Sequence, residues 1–140
     1  MPATAPKPYE MKALGAVIDA TAPDGTAVRL LLSLSGGSMA HFELPAGAVS
    51  HAVTHRTVEE IWFVVSGRGA IWRRQGDVES TAPLGPGTSL TIPLGTAFQF
   101  RADAGSALAF VAITMPPWPG VDEAVSVRGP WAPTAAAGSA

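Results

Sequence analysis

Residues 47–67 read GAVSHAVTHRTVEEIWFVVSG, and residues 87–98 read GTSLTIPLGTAF. Their recurring positions are spaced as Gly47-x5-Val53-x-His55-x4-Glu60-x6-Gly67 and Gly87-x5-Pro93-x-Gly95-x2-Phe98. Glycine and proline bound apolar runs of strand length in both segments, and these two residue types commonly mark tight turns. The two segments therefore predict short β-strands joined by turns, with a histidine and a glutamate among them.

This spacing resembles the paired motifs of the cupin superfamily, G-x5-H-x-H-x(3,4)-E-x6-G and G-x5-P-x-G-x2-H-x3-N. This chain has a counterpart for every glycine of the two motifs and for the proline. It also has one of the histidines, His55, and the glutamate, Glu60. Val53 and Phe98 stand at the family's other two histidine positions, and Ala102 stands at the asparagine. The resemblance implies an all-β fold, the cupin-type double-stranded β-helix or jelly-roll barrel, with a degenerate metal site.

The rest of the chain also favours an all-β barrel. β-Branched and aromatic residues are concentrated in short runs between glycine and proline turns, and few windows show the period of a helix. Several short strands of this kind are typical of a barrel or jelly-roll sandwich. The predicted strands are residues 28–34, 39–44, 49–57, 60–65, 70–74, 89–92, 97–101 and 108–114. The resemblance to cupins extends over about residues 28–115, which include all of these runs.

Composition limits the class of protein. With 140 residues, 47% of them hydrophobic and 14% charged, the chain suits one globular domain with its own core. We expect a flexible N-terminal segment (1–10), a barrel domain (11–120) and an extended, partly disordered tail (121–140). The absence of cysteine excludes disulfides and thiolate metal sites. A net charge of −2 gives no reason to expect nucleic acid, and the lack of a long apolar run or signal peptide favours a cytoplasmic protein without membrane contact.

The resemblance places the side chains of His55 and Glu60 inside the barrel, as candidate catalytic residues of a small-molecule site. Side chains alternate between the two faces of a strand. Val53 and His51 are therefore expected on the inner face beside His55. On this interpretation His51 contributes to substrate binding.

The same alternation predicts the other walls of the site. Trp62, with Val64, should share the inner face with Glu60, and Phe98 should face inward with Phe100. Trp72 lies on a strand that is expected to pair with that of Glu60, and it could add a further ring, although alternation alone does not fix its direction. The residues expected on the outer face are Ile61, Phe63 and Val65. The predicted substrate-binding residues are His51, Trp62, Trp72, Phe98 and Phe100.

A divalent transition metal is one of two alternatives for this site. The cupin ligand set of three histidines and a glutamate suits iron, manganese, nickel or zinc. His51, His55 and Glu60 could form a shifted set, with His41 approaching from a neighbouring strand. In the other alternative no metal is bound, and His55 and Glu60 hydrogen-bond each other because buried polar groups need partners. We favour this second interpretation because two of the family's ligand positions are apolar.

Two other features are assigned structural roles. Asp24, Asp77 and Asp103 lie in turn sequences, where aspartate usually caps the turn. Trp118 lies in the segment MPPWPGVDE (115–123), which is stiffened by prolines and is expected to pack over the barrel or against a second subunit.

Two functions remain open at this point. One is a metabolic enzyme of isomerase, lyase or oxygenase type, in which His55 and Glu60 act as general acid and base or hold a metal. The other is a non-catalytic module that binds or senses a small organic molecule. A homodimer through the outer residues Ile61, Phe63 and Val65 is also expected.

Overall fold

Strands alone form the regular structure of residues 5–140, the part of the chain that the computed structural model describes. The strands are β1 (Ala20–Thr21), β2 (Ala27–Leu34), β3 (Gly37–Leu44), β4 (Val53–His55), β5 (Glu59–Ser66), β6 (Gly69–Gln75), β7 (Val78–Leu84), β8 (Ser89–Ile92), β9 (Ala97–Ala102), β10 (Leu108–Met115) and β11 (Ala124–Ser126). No helix within this described part is long and apolar enough to cross a membrane.

The strands form two antiparallel sheets that face each other. One has the order β1-β2-β3-β10-β5-β8, and the other has the order β11-β4-β9-β6-β7. The main core lies between them, because its buried side chains come from both sheets, including Trp62 and Phe110 from one and Phe98 and Phe100 from the other. The prediction of an all-β, cupin-type jelly roll is confirmed.

Every predicted run contains a strand, but three strands were not predicted. β7 has a largely exposed sequence that includes Pro83, and it lies at the edge of its sheet, where proline is tolerated because one side needs no ladder partner. Such a strand lacks the alternating pattern that marks a half-buried one. β1 and β11 are too short to give any pattern, and the predicted run 49–57 keeps only β4 as regular strand.

The C-terminal tail lies against the barrel. β11 pairs with β4, and the buried amide of Gln99 exchanges hydrogen bonds with the backbone of Trp131 at 2.8 and 3.1 Å. The backbone N–H groups of residues 134 and 135 both donate to the carbonyl of Val49. The tail thus lies along the second sheet. Residues 1–4 of the predicted N-terminal segment lie outside the described residues.

Two glycines of the motifs have nearly the same backbone angle but different surroundings. Gly67 has φ of 80° and Gly95 has φ of 81°, a region that residues with a Cβ rarely adopt. A Cβ on Gly67 would collide with the backbone of Ala107 and Leu108, whereas a Cβ on Gly95 would meet nothing within 4 Å. Gly67 is therefore required both for its conformation and for the close approach of β5 and β10.

We predict that Gly67→Ala destabilises the fold far more than Gly95→Ala. Gly95→Ala adds only the strain of placing a Cβ on a left-handed backbone, about 1–2 kcal/mol. Gly67→Ala adds the same strain and also a collision with the backbone, which costs roughly a further 1–3 kcal/mol. Chemical unfolding of the two variants and of the original protein measures the difference. Equal losses would show that the close approach at Gly67 has been wrongly assigned.

Candidate functional site

A cavity of about 340 Å³ lies between the two sheets. Its wall is mostly apolar, and its aromatic side chains are Phe42, Trp62, Phe98, Phe110 and Trp118. The ionisable side chains on it are Asp24, His55 and Glu60. Apolar walls with a few placed polar groups are typical of small-molecule sites, and the volume lies at the lower end of their range.

The structure brings His55 and Glu60 together inside the barrel, as the motif spacing predicts. His55 ends β4 and Glu60 follows the first residue of β5, so the short loop between them turns both side chains into the cavity. Their side chains are only 6% and 7% exposed, and His55 Nδ1 lies 3.5 Å from Glu60 Oε1. This distance exceeds the usual N–H···O range. Nδ1 has no hydrogen-bond partner among the described residues.

Aromatic rings fix the orientation of this pair. The indole Nε1 of Trp62 donates a hydrogen bond of 2.6 Å to Glu60 Oε2. The imidazole of His55 lies edge-on between Phe98 and Trp118, with ring centroids 5.3 and 5.1 Å away. One oxygen of the carboxyl group is thereby engaged, and the other faces the imidazole.

The environment reverses the usual order of the two pKa values. Burial lowers the pKa of His55 to about 4, although the charge of Glu123 acts in the opposite direction. Burial raises the pKa of Glu60 to about 7; the bond from Trp62 opposes this rise and the charge of Asp24 adds to it. Near neutral pH the imidazole is therefore uncharged, and the carboxyl group holds a proton on a large fraction of molecules.

Asp24 is a site residue that the sequence analysis missed. Its Oδ1 accepts hydrogen bonds from the backbone N–H and the hydroxyl of Thr26, at 3.0 and 2.7 Å. These bonds confirm the predicted turn role, but the turn also enters the cavity wall. Burial raises the pKa of Asp24, against the effect of the bonds from Thr26. A second carboxyl group thus shares the cavity with Glu60.

Glu123 supports the site from the segment after the last barrel strand. Its carboxylate accepts hydrogen bonds from the backbone N–H groups of Thr57 and Val58, at 2.6 and 2.8 Å, and from the Thr57 hydroxyl. Burial opposes its charge, but these bonds outweigh burial and lower its pKa. The loop between His55 and Glu60 is therefore held by a distant carboxylate that the sequence analysis did not identify.

A family comparison agrees with this geometry. The model of the cupin domain family matches residues 40–114, more than half of the chain. The chain belongs to the cupin family. No curated protein sequence matches it.

Several solved structures resemble this cupin in fold. BH2720 from Bacillus halodurans has a TM-score of 0.59 at 18% identity, covering 69% of this chain and 73% of its own. Pac13 from Streptomyces, a nucleoside dehydratase solved with uridine, has a TM-score of 0.65 at 14% identity, covering 86% of this chain and 93% of its own. CapF from Staphylococcus aureus, a capsular polysaccharide assembling protein, has a TM-score of 0.67 at 15% identity. The match covers 80% of this chain and only 34% of CapF. At these identities the likeness shows the fold alone.

Three of the five predicted substrate-binding residues do not line the cavity of this cupin, namely Phe100, Trp72 and His51. Phe100 points inward but packs behind Trp62, edge-on at 5.1 Å, within the core. Trp72 points to the opposite face of its sheet, because its neighbour Ile71 pairs with Phe100 and takes the inner side. It packs with Trp131 of the tail. Trp62 and Phe98 line the cavity as predicted.

His51 and His41 lie away from the pair. His51 precedes the first residue of β4, so strand alternation does not govern its direction, and its Nε2 lies 2.7 Å from the carbonyl of Ala135 in the tail. His41 is buried on β3, but the cavity is lined by its neighbours Ala40 and Phe42, which point to the other face. The expectation that His51 lies on the inner face beside His55 is therefore wrong, and His41 does not approach the pair from its strand.

The donor groups of this cupin do not fit a metal of the usual kind. Val53 and Phe98 occupy two of the family's ligand positions and are paired across β4 and β9. The shifted set of His51, His55 and Glu60 is not assembled. Within residues 5–140, no three His, Cys, Asp or Glu side chains are grouped so that they could hold a metal ion. Two donors are too few for the tetrahedral or octahedral sites that transition metals form in proteins.

We predict that Phe98→His gives this cupin a metal site. The ring of Phe98 is 5.3 Å from that of His55, so an imidazole there would add a third donor to His55 and Glu60. Calorimetric titration of chelator-treated protein with Ni²⁺ or Mn²⁺ should show clearly tighter binding than in the original protein. Phe42→His, on the opposite wall, is the matched control and should bind no better. Unchanged affinity of the Phe98 variant would contradict the assignment of this position.

Proposed function

We propose that this cupin binds a small, largely apolar molecule in its cavity and moves a proton within it, as an isomerase or lyase. The observation that carries the proposal is the buried pair of His55 and Glu60, whose pKa values of about 4 and about 7 are reversed. An uncharged imidazole and a protonated carboxyl group facing the same cavity are a general base and a general acid that coexist.

His55 and Glu60 together can take up and return every proton that such a reaction moves. His55 Nδ1 removes a proton from a carbon of the substrate, and Glu60 Oε1 delivers its own proton to the atom that receives the electron pair. The imidazolium and carboxylate that result are 3.5 Å apart. Transfer of one proton from nitrogen to oxygen then restores both groups. No external oxidant or reductant is needed.

The surrounding residues support this role by position. Trp62 holds one oxygen of Glu60, while Phe98 and Trp118 limit the rotation of His55. The apolar wall excludes water, which strengthens electrostatic effects on the reacting group. An oxygenase is less well supported than an isomerase or lyase, because the donor groups near His55 are too few to hold iron.

A non-catalytic binding protein is the second candidate. It is favoured by the two apolar residues, Val53 and Phe98, at positions where the family has metal ligands. The two candidates differ in one respect. A binding protein needs the shape of the cavity, whereas an enzyme also needs the proton of Glu60.

We predict that Glu60→Gln keeps ligand binding and loses turnover. The purified protein is incubated with pooled small metabolites, bound species are identified by native mass spectrometry, and products are identified by chromatography with mass detection. Loss of the proton donor should lower kcat by about 100-fold or more. Glu59→Gln is the matched control, because Glu59 is the adjacent, exposed carboxylate. Its turnover should stay at the original level.

The pH profile gives a second readout of the same experiment. Activity requires uncharged His55 and protonated Glu60, so kcat/KM should fall as pH drops through about 4 and as it rises through about 7. A ligand that binds but is converted by neither protein would favour the binding module instead.

A further inference from the structure

Asp24 has an unused oxygen on the cavity wall. Its Oδ1 takes both hydrogen bonds from Thr26, and Oδ2 accepts none from the described residues. Burial of this carboxyl group costs free energy unless a partner compensates for it. Lysine and arginine are absent from the described residues that line the cavity. The charge of His51 lowers the pKa of Asp24, but the ring of His51 bonds the carbonyl of Ala135 and makes no hydrogen bond with this oxygen. The lining residues therefore leave room for a cation at Oδ2.

The other groups that face the cavity also favour a positively charged ligand. Asp24 and Glu60 repel each other enough that the charge of Asp24 raises the pKa of Glu60. Buried His55 is uncharged near neutral pH. The aromatic faces of the wall carry the negative part of their quadrupoles, which attracts cations. Lys7, which donates to the carbonyl of rim residue Ser33, is exposed and paired with Glu10 at 3.4 Å.

We infer that Asp24 anchors a cationic group of the ligand, an ammonium or amidinium, while the apolar body of that ligand lies against Trp62 and Phe98. This inference rests on the proposed small-molecule function and adds the chemical class of the ligand. A carboxylate or phosphate ligand would meet two acids and no compensating cation. An ammonium at Asp24 Oδ2 would instead form a charge-assisted hydrogen bond. Burial still keeps the proton on Glu60, because burial is the larger cause of its raised pKa.

Three probes of similar shape test the class: 2-phenylethylamine, 2-phenylethanol and phenylacetate. Calorimetry at about pH 6 keeps the amine protonated, since alkyl ammonium groups titrate near 10, and it also keeps the proton on Glu60, whose pKa is about 7. We expect the amine to bind about tenfold tighter than the alcohol, and phenylacetate to bind most weakly. Asp24→Asn keeps the acceptor for Thr26 but removes the charge. It should lower the affinity for the amine to that for the alcohol and leave the alcohol unchanged.

The outcomes separate this inference from the proposed function. Asp77→Asn, in an exposed turn, is the matched control and should keep the preference for the amine. Equal binding of amine and alcohol, or a preference that survives Asp24→Asn, overturns the cationic class while the small-molecule cavity stands. If none of the probes binds at millimolar concentration, the inference is overturned. Turnover that depends on Glu60 would then still support the proposed function.

Discussion

The packing of Trp62 is the constraint on which the site depends. Its ring stacks on Phe110 at 3.9 Å and meets Phe98 and Phe100 edge-on, so it joins the two sheets across the core. The same indole donates its N–H to Glu60. A buried tryptophan needs a partner for this N–H, and here the partner is the carboxyl group that faces His55. The barrel core and the acid–base pair thus share one side chain.

Desolvation is the main cause of the shifted pKa values in the cavity. It removes charge from His55 and favours the proton on Glu60, and in each case burial is the largest cause of the shift. The same effect acts on His55 and Glu60 although Val53 and Phe98 stand where the family has metal ligands. Apolar residues at these positions deepen the burial of the two polar groups that remain.

The motif spacing was sufficient to predict the fold and the meeting of His55 and Glu60, because both residues flank one short loop. It also predicted the inward direction of Trp62 and Phe98, which follows from strand alternation. Asp24 and Glu123 could not be found in this way. Each reaches the site from a loop distant in sequence, and Glu123 lies 66 residues from Thr57. The direction of the Trp72 side chain depends on the register between β6 and β9, and that of His51 depends on where β4 begins. Short apolar runs in a sequence reveal neither the register nor the start of the strand.

The carboxylate of Glu123 links the position of the C-terminal segment to the environment of His55 in the cavity. If this segment lifted from the barrel, the N–H groups of Thr57 and Val58 would lose their acceptor, and water would reach the imidazole that Trp118 now shields. Hydration would return the basicity of that ring toward its value in free solution. The docked C-terminal segment therefore helps to keep His55 uncharged, because it is part of what buries the imidazole.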